Sequence, residues 1–120
     1  MCNFCFDKDI NRFEDDQSFQ KFDLELDQKR KLDETQNGLV VLDNNGSYLD
    51  YGFQILQCYN CGTIWWFSTP DNAWRGFFMK EVNAKLQLQN FKKSDQKRRI
   101  GCFVFILVIV FIIITYSVYV

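Results

Sequence analysis

The stretch that decides the fold is CYNCGTIWW, residues 58–66, which places two cysteines, a glycine and two adjacent tryptophans within nine positions. The preceding FQILQ (53–57) has the apolar composition of a strand, and the following TIWWF (63–67) is typical of a second strand. Gly62 lies where the chain has to reverse, a position that favours a residue able to adopt positive φ. The pattern predicts two strands joined by a C-x-x-C turn.

A second C-x-x-C pair lies at the start of the sequence, in CNFC (2–5). Two thiolates of one such turn can face a single tetrahedral ion, and a second turn supplies the remaining corners. The chain has no histidine, which excludes His-containing metal sites and the Ser-His-Asp and Cys-His catalytic groups. We therefore predict one structural Zn2+ site whose ligands are Cys2, Cys5, Cys58 and Cys61.

The strand–CxxCG–strand unit resembles the knuckle of the zinc-ribbon proteins, over roughly residues 53–67 together with the first cysteine pair. This resemblance implies a closed, non-catalytic metal site. The first pair departs from the pattern because Phe6 follows it where a glycine is expected. An alternative hypothesis is a redox dithiol formed by Cys58 and Cys61, which needs a helix N-terminus to lower a thiol pKa.

Residues 12–36 are strongly charged and contain neither Gly nor Pro. Their apolar side chains allow two interpretations. Phe19, Phe22 and Leu26 recur at helical spacing, whereas the alternation of Phe22, Leu24 and Leu26 with acidic residues is typical of a strand. We predict a helix because the segment is long and uninterrupted.

Asn45-Gly46 lies between the apolar runs 38–42 and 48–58, so we predict a hairpin turn at this dipeptide. RGFFMK (75–80) is the candidate last strand. Together with the strands around the second cysteine pair, these segments predict an α+β fold with a small antiparallel sheet of three or four strands.

Aromatic residues and an arginine are concentrated after the second cysteine pair. These residue types dominate binding hot spots, but they also form cores. Because adjacent residues of a strand point to opposite faces, one of the two neighbouring tryptophans should pack against another element, a partner or the membrane interface. The candidate partner-binding residues are Trp65, Trp66, Trp74 and Arg75.

Residues 101–120 carry no charge and are rich in Ile, Val and Phe. Twenty helical residues span the roughly 30 Å hydrocarbon core of a bilayer. We predict three parts: a zinc-ribbon-like domain over residues 1–79, an amphipathic and basic helix over 80–99, and a transmembrane helix over 100–120.

Charge sets the expected orientation. Residues 1–90 carry 14 acidic and 9 basic side chains, a net of −5, whereas residues 91–100 carry five basic side chains and one acidic. Positive charge directly before a span favours the cytosolic side. The charged N-terminus lacks a signal-peptide pattern, so we expect a single-pass, tail-anchored protein with a cytosolic N-terminal domain. The residues expected to meet anionic headgroups are Lys92, Lys93, Lys97, Arg98 and Arg99.

These features predict a non-enzymatic, zinc-stabilised module that binds a protein partner at a membrane, as an accessory subunit, an adaptor or an immunity-type inhibitor. The alternative is a membrane-tethered thiol oxidoreductase that uses Cys58 and Cys61. Nucleic-acid binding is disfavoured, because affinity for phosphate comes mainly from cationic residues and residues 1–90 are net acidic.

Overall fold

The computed structural model describes residues 2–31, 36–70 and 76–120. Within these residues, four antiparallel strands form one sheet in the order β1-β2-β3-β4, which confirms the α+β class and the predicted antiparallel sheet of three or four strands. The elements in chain order are α1 (Asp16–Lys31), β1 (Leu39–Tyr48), β2 (Tyr51–Cys58), β3 (Ile64–Ser68), β4 (Phe77–Lys80) and α2 (Glu81–Tyr119). The chain divides into two compact units, Met1–Leu86 and Gln87–Val120.

The charged segment predicted to be helical, residues 12–36, forms helix α1 over residues 16–31, and residues 32–35 lie outside the described residues. Asp15 precedes the helix, and its Oδ1 accepts a hydrogen bond from the Ser18 N–H at 2.7 Å, the arrangement of an N-cap. Phe22 and Leu26 are buried, whereas Leu24 is 68 % exposed. This pattern is that of one helix face, so the strand interpretation of these residues is wrong.

Helix α1 packs on one face of the sheet through aromatic contacts. The Phe22 ring lies 4.9 Å from the Phe78 ring of β4 and 5.9 Å from the Phe67 ring of β3. Trp65 is fully buried on the same face and stacks on Phe78 with 4.7 Å between ring centroids. The main core therefore lies between α1, the N-terminal segment and this face of the sheet.

The opposite face of the sheet receives Trp66, as strand alternation predicts. Its ring stacks on Phe53 with 4.0 Å between centroids and lies 5.7 Å from the ring of Tyr48. The Lys85 Nζ lies over the ring at 5.6 Å, in cation–π contact. We expected one tryptophan to pack against another element, a partner or the membrane interface. Trp66 packs against other elements of its own chain and is only 4 % exposed.

The β1–β2 hairpin does not turn at Asn45-Gly46, so that prediction is wrong. Leu49 and Asp50 form the turn with φ of 52° and 71°, the positive values of a two-residue type I′ connection. Gly46 instead pairs with Phe53 in the sheet. A Cβ at Gly46 would come within about 3 Å of the Phe53 and Ile55 side chains, so the glycine permits close packing of the strands.

The two outer strands of the sheet are β1 and β4. The pairing of strand β1 with β2 has register shifts on both sides of Asp43, one between Val41 and Asp43 and one between Asp43 and Gly46. Strand β4 is covered on its outer side by Ile10, which exchanges two backbone hydrogen bonds with Phe78 at 2.7 and 2.9 Å. The N-terminal segment is thereby attached to the edge of the sheet.

Helix α2 runs without interruption over 39 residues and joins the two predicted helical segments, 80–99 and 100–120, except for Lys80, which belongs to β4, and Val120, which is not helical. Among the described residues, it is the one helix long and apolar enough to cross a membrane, judged by length and composition. No part of its most apolar window is buried within the protein, unlike the core helix of a soluble domain. The chain therefore fits a single-pass membrane protein.

Gly76 gives a test of the fold. It has a φ of 70°, and a Cβ there would collide with the Ser68 carbonyl oxygen and lie 2.8 Å from the Pro70 nitrogen. We expect Gly76→Ala to lower the free energy of unfolding by about 3 kcal/mol, because of both strain and backbone collision. Denaturant unfolding of the full chain in mild detergent, followed by tryptophan fluorescence, measures this.

Gly52→Ala is the matched control, since a Cβ at Gly52 would meet no described atom within 4 Å. Equal stability of the two variants would contradict the close approach of Gly76 to the backbone of Ser68 and Pro70.

Candidate metal centre

The four cysteines of the two C-x-x-C pairs converge, as predicted, although the pairs are separated by most of the folded domain in sequence. Their Sγ atoms all lie within 4.8 Å of one another. The sulfurs are 3.7 Å apart for Cys2 and Cys58, and 3.5 Å apart for Cys5 and Cys61. The four sulfurs therefore belong to a single cluster with contributions from both pairs.

The spacing of the sulfurs discriminates between two kinds of site. A disulfide requires about 2.05 Å between sulfurs, and all five cysteines are free. Four sulfurs placed about 2.3 Å from a tetrahedral zinc ion lie about 3.8 Å from one another. The Cys2–Cys58 and Cys5–Cys61 distances are close to this value and the remaining distances do not exceed 4.8 Å, so the donor set and its spacing fit a metal ion.

The second cysteine pair is positioned by the end of β2 and a tight backbone turn. The Gly62 N–H donates to the Cys58 carbonyl at 2.9 Å, and the Cys58 N–H donates to the Thr63 carbonyl at 3.0 Å. Gly62 has a φ of 74°, which confirms the expected need for a permissive backbone after Cys61. This turn directs both thiols of the pair to one side.

Asn60 fixes this turn to the chain that enters β1, a role that the sequence motif did not reveal. Its Oδ1 accepts a hydrogen bond from the Gly38 N–H at 3.0 Å, and its Nδ2 donates to the Asn37 Oδ1 at 2.9 Å. The Tyr59 N–H also donates to the Gly38 carbonyl at 2.9 Å. The available signal was an amide residue within the C-x-x-C turn, since such side chains often satisfy nearby backbone groups.

The first cysteine pair is followed by an aromatic residue that packs in the core, whereas the second pair is followed by a glycine that permits a tight turn. Phe6, at the position where the zinc-ribbon pattern has glycine, packs its ring 4.9 Å from Phe78 and 5.1 Å from Phe22. The Lys29 Nζ lies over the same ring at 5.0 Å. The first pair is therefore held by the main core, with Cys5 itself buried.

Asp9 fixes the far end of the N-terminal segment. Its Oδ1 accepts a hydrogen bond from the Lys80 N–H at 2.9 Å, and its Oδ2 accepts one from the Asn83 side chain. A carboxylate at this position stabilises the N-terminus of α2 through the orphan N–H groups and the helix dipole. The segment that carries Cys2 and Cys5 is thus attached at both ends.

The surroundings of the thiols shift their acidities in opposite directions. Burial raises the pKa of Cys5, and hydrogen bonds with the neighbouring thiols raise it further. Burial also raises the pKa of Cys58. For Cys61 burial acts in the same direction, but hydrogen bonds from Thr63 and the thiols of Cys5 and Cys58 outweigh it and lower the pKa to about 6.

These shifts have a consequence for metal binding. A metal ion binds thiolates, so its binding at a thiol with raised pKa displaces a proton. A metal ion held by these thiols would therefore bind more tightly as the pH rises, because fewer protons would have to be displaced.

The other candidate residues are not members of the four-cysteine cluster, and two of them lie outside the described residues. Trp65 and Trp66 are buried, so neither presents an exposed indole to a partner in this conformation. Trp74 and Arg75 lie outside the described residues. The five basic residues before the apolar segment all lie on α2, and four of them are exposed to solvent: Lys93, Lys97, Arg98 and Arg99.

No protein-family model matches the chain, and no curated protein or solved structure matches it significantly. The likeness to a zinc ribbon therefore depends on the cysteine spacing in the sequence and on the convergence of the four sulfurs.

Phe6 provides a test of how the first cysteine pair is held. We expect Phe6→Ala to lower the free energy of unfolding by about 2–3 kcal/mol, because a largely enclosed ring leaves a cavity beside Phe22 and Phe78. Phe4→Ala is the matched control within the same turn, since Phe4 is 36 % exposed. Denaturant unfolding of the full chain, at constant metal content, compares the stabilities of the two variants. An equal loss of stability in both would contradict the packing role of Phe6.

Proposed function

We propose that this chain is a zinc-stabilised, membrane-anchored module that acts by binding a protein partner and has no catalytic activity of its own. The observation that carries the proposal is the convergence of four sulfurs at distances that suit one tetrahedral ion. A zinc ion held by four thiolates has no open position for water or substrate, which is why a structural role is favoured over a catalytic one.

The proposed zinc acts through folding. It joins the turn that contains Cys2 and Cys5 to the turn that contains Cys58 and Cys61, so it closes a long loop of chain. Structural zinc in small domains contributes an apparent binding free energy of about 10–16 kcal/mol at neutral pH. A domain of this size buries limited apolar surface, and such domains commonly depend on a metal or a partner.

The proposed anchor is the apolar part of α2. Its length, its apolar composition and the absence of buried residues in its most apolar window support a membrane span. The excess of basic residues before this segment supports a cytosolic N-terminal domain, by the positive-inside rule. In this proposal the protein is tail-anchored, and the domain with the cysteine cluster faces the cytosol.

The proposed partner is a protein, which the module serves as an accessory subunit, an adaptor or an immunity-type inhibitor. Trp65 and Trp66 are committed to the packing of the sheet. Trp74 and Arg75 are therefore the residues that we propose for the contact, because Trp and Arg contribute most to binding hot spots.

A membrane-tethered thiol oxidoreductase is the second candidate. The exposed Cys61, with its lowered pKa, has the character of a reactive thiol. Against this candidate, Cys58 ends a strand and is not at a helix N-terminus, and both thiols have near neighbours in the first pair. Metal analysis distinguishes the two candidates.

We expect the full chain, purified in mild detergent under reducing conditions without added metal, to contain about one zinc per chain. Cys58→Ser and Cys5→Ser should each abolish retention of zinc and the cooperative unfolding transition, because three thiolates leave the ion incompletely held. Elemental analysis and tryptophan fluorescence measure the two effects.

Cys102→Ser is the matched control and should retain the zinc, since Cys102 lies on α2 and is not one of the four clustered cysteines. A chain that contains no metal but forms a reversible Cys58–Cys61 disulfide would reject the zinc proposal in favour of the oxidoreductase. A chain that retains iron would keep the four-thiolate site and reject zinc as its ion.

The partner proposal is tested by photo-crosslinking in the native membrane, with a photoreactive residue at position 74. We expect one defined protein to be crosslinked, and Arg75→Ala to reduce the crosslink at unchanged zinc content. A photoreactive residue in place of exposed Leu42 is the control. Equal labelling from positions 74 and 42 would contradict the assigned contact.

A further inference from the structure

Five cationic residues lie on α2 directly before its apolar segment. We call Lys92, Lys93, Lys97, Arg98 and Arg99 the basic collar. Together with the apolar segment they lie within one compact unit, Gln87–Val120, as parts of one continuous helix. Asp95 is the one acidic residue among residues 91–100. The collar therefore has a net positive charge next to the segment proposed to enter the membrane.

The basic collar surrounds the helix. Successive residues of an α-helix are rotated by about 100°, which places the five cations at about 0°, 100°, 140°, 240° and 340° around the axis. The widest arc without a cation is about 100°. Among the described residues, four collar members have no salt bridge to an acidic side chain: Lys93, Lys97, Arg98 and Arg99.

This distribution differs from that of a helix that lies flat on a membrane. A flat helix has its charged residues on one face and its apolar residues on the other. In the basic collar the cations are distributed around the whole circumference of the helix. Such an arrangement suits a helix that passes through the headgroup layer along its own axis, since headgroups then surround it.

The axial length of the collar also suits the headgroup layer. From Lys92 to Arg99 the helix rises by about 10 Å. The polar layer on each side of a bilayer is about 5–8 Å thick. Long Lys and Arg side chains extend along the helix to reach the charged layer, so all five can contact headgroups at once.

We propose that the basic collar binds a ring of anionic phospholipids around α2, with headgroups contacted on every side of the helix. The proposal rests on the membrane anchor of the proposed function. Charge complementarity carries it, together with the continuity of the collar and the apolar segment. Each cation near an anionic bilayer surface strengthens association by about fivefold, and salt weakens this attraction.

The test uses the full chain reconstituted in phosphatidylcholine bilayers with trace spin-labelled phosphatidylglycerol or phosphatidylcholine. Electron spin resonance measures the fraction of each lipid whose motion the protein restricts. We expect the chain to restrict phosphatidylglycerol several-fold more strongly than phosphatidylcholine, and the ratio to fall towards unity at high salt. Restriction of both lipids to the same degree at low salt would overturn the proposal.

Two double variants test the collar geometry. Lys93→Gln/Lys97→Gln removes cations from one side of the helix, and Arg98→Gln/Arg99→Gln removes them from the other. We expect each pair to lower the phosphatidylglycerol preference by a similar factor. Loss with only one of the pairs would overturn the ring in favour of a one-sided surface.

Lys8→Gln/Arg12→Gln is the matched control, because these two exposed cations lie outside α2. It should leave the lipid preference unchanged, and an equal loss would overturn the assignment to the collar. Extraction of the chain from bilayers by alkaline carbonate would instead reject the proposed membrane anchor. The zinc content of each variant, compared with that of the unaltered chain, checks that the folded domain is intact.

Discussion

The convergence of four sulfurs is the constraint on which the rest of the domain depends. Cys5 and Cys61 are 56 positions apart in sequence, yet their sulfurs lie 3.5 Å from each other. Closing so long a loop costs conformational entropy, which grows with the logarithm of its length. The cost is offset where the N-terminal segment is held at several points: by Phe6 in the core, by Ile10 on β4 and by Asp9 at the start of α2.

The sequence was sufficient for features that depend on local periodicity and on residue chemistry. The absence of glycine and proline and the spacing of Phe22 and Leu26 predicted α1, and the charge-free run predicted a helix able to span a membrane. The C-x-x-C spacing predicted which thiols would meet, because the chemistry of a tetrahedral ion requires such pairs. The positive φ of Gly62 was likewise predictable from its position in the turn.

Features that depend on contacts between distant residues were not predictable in the same way. Asn45-Gly46 has the composition of a hairpin turn, but both residues lie within β1, where Gly46 pairs with Phe53. The side chains of Phe53 and Ile55 approach Gly46 closely, a contact that the sequence does not reveal. The turn instead lies at Leu49 and Asp50, which adopt positive φ. The longer hairpin places the rings of Tyr48 and Phe53 against Trp66. Similarly, the hydrogen-bond partners of the Asn60 side chain are Asn37 and Gly38, which lie more than twenty positions away in the sequence.

The edges of the sheet determine how this domain can meet other proteins. Strand β1 is interrupted by its register shifts, and Ile10 occupies the outer side of β4 at Phe78. Interrupted or covered edges are poor templates for adding a further strand. Confinement to a membrane concentrates copies of a protein in two dimensions, where frequent collisions favour self-association through open strands. In the proposed membrane setting, these edges would disfavour polymerisation of the domain by strand addition.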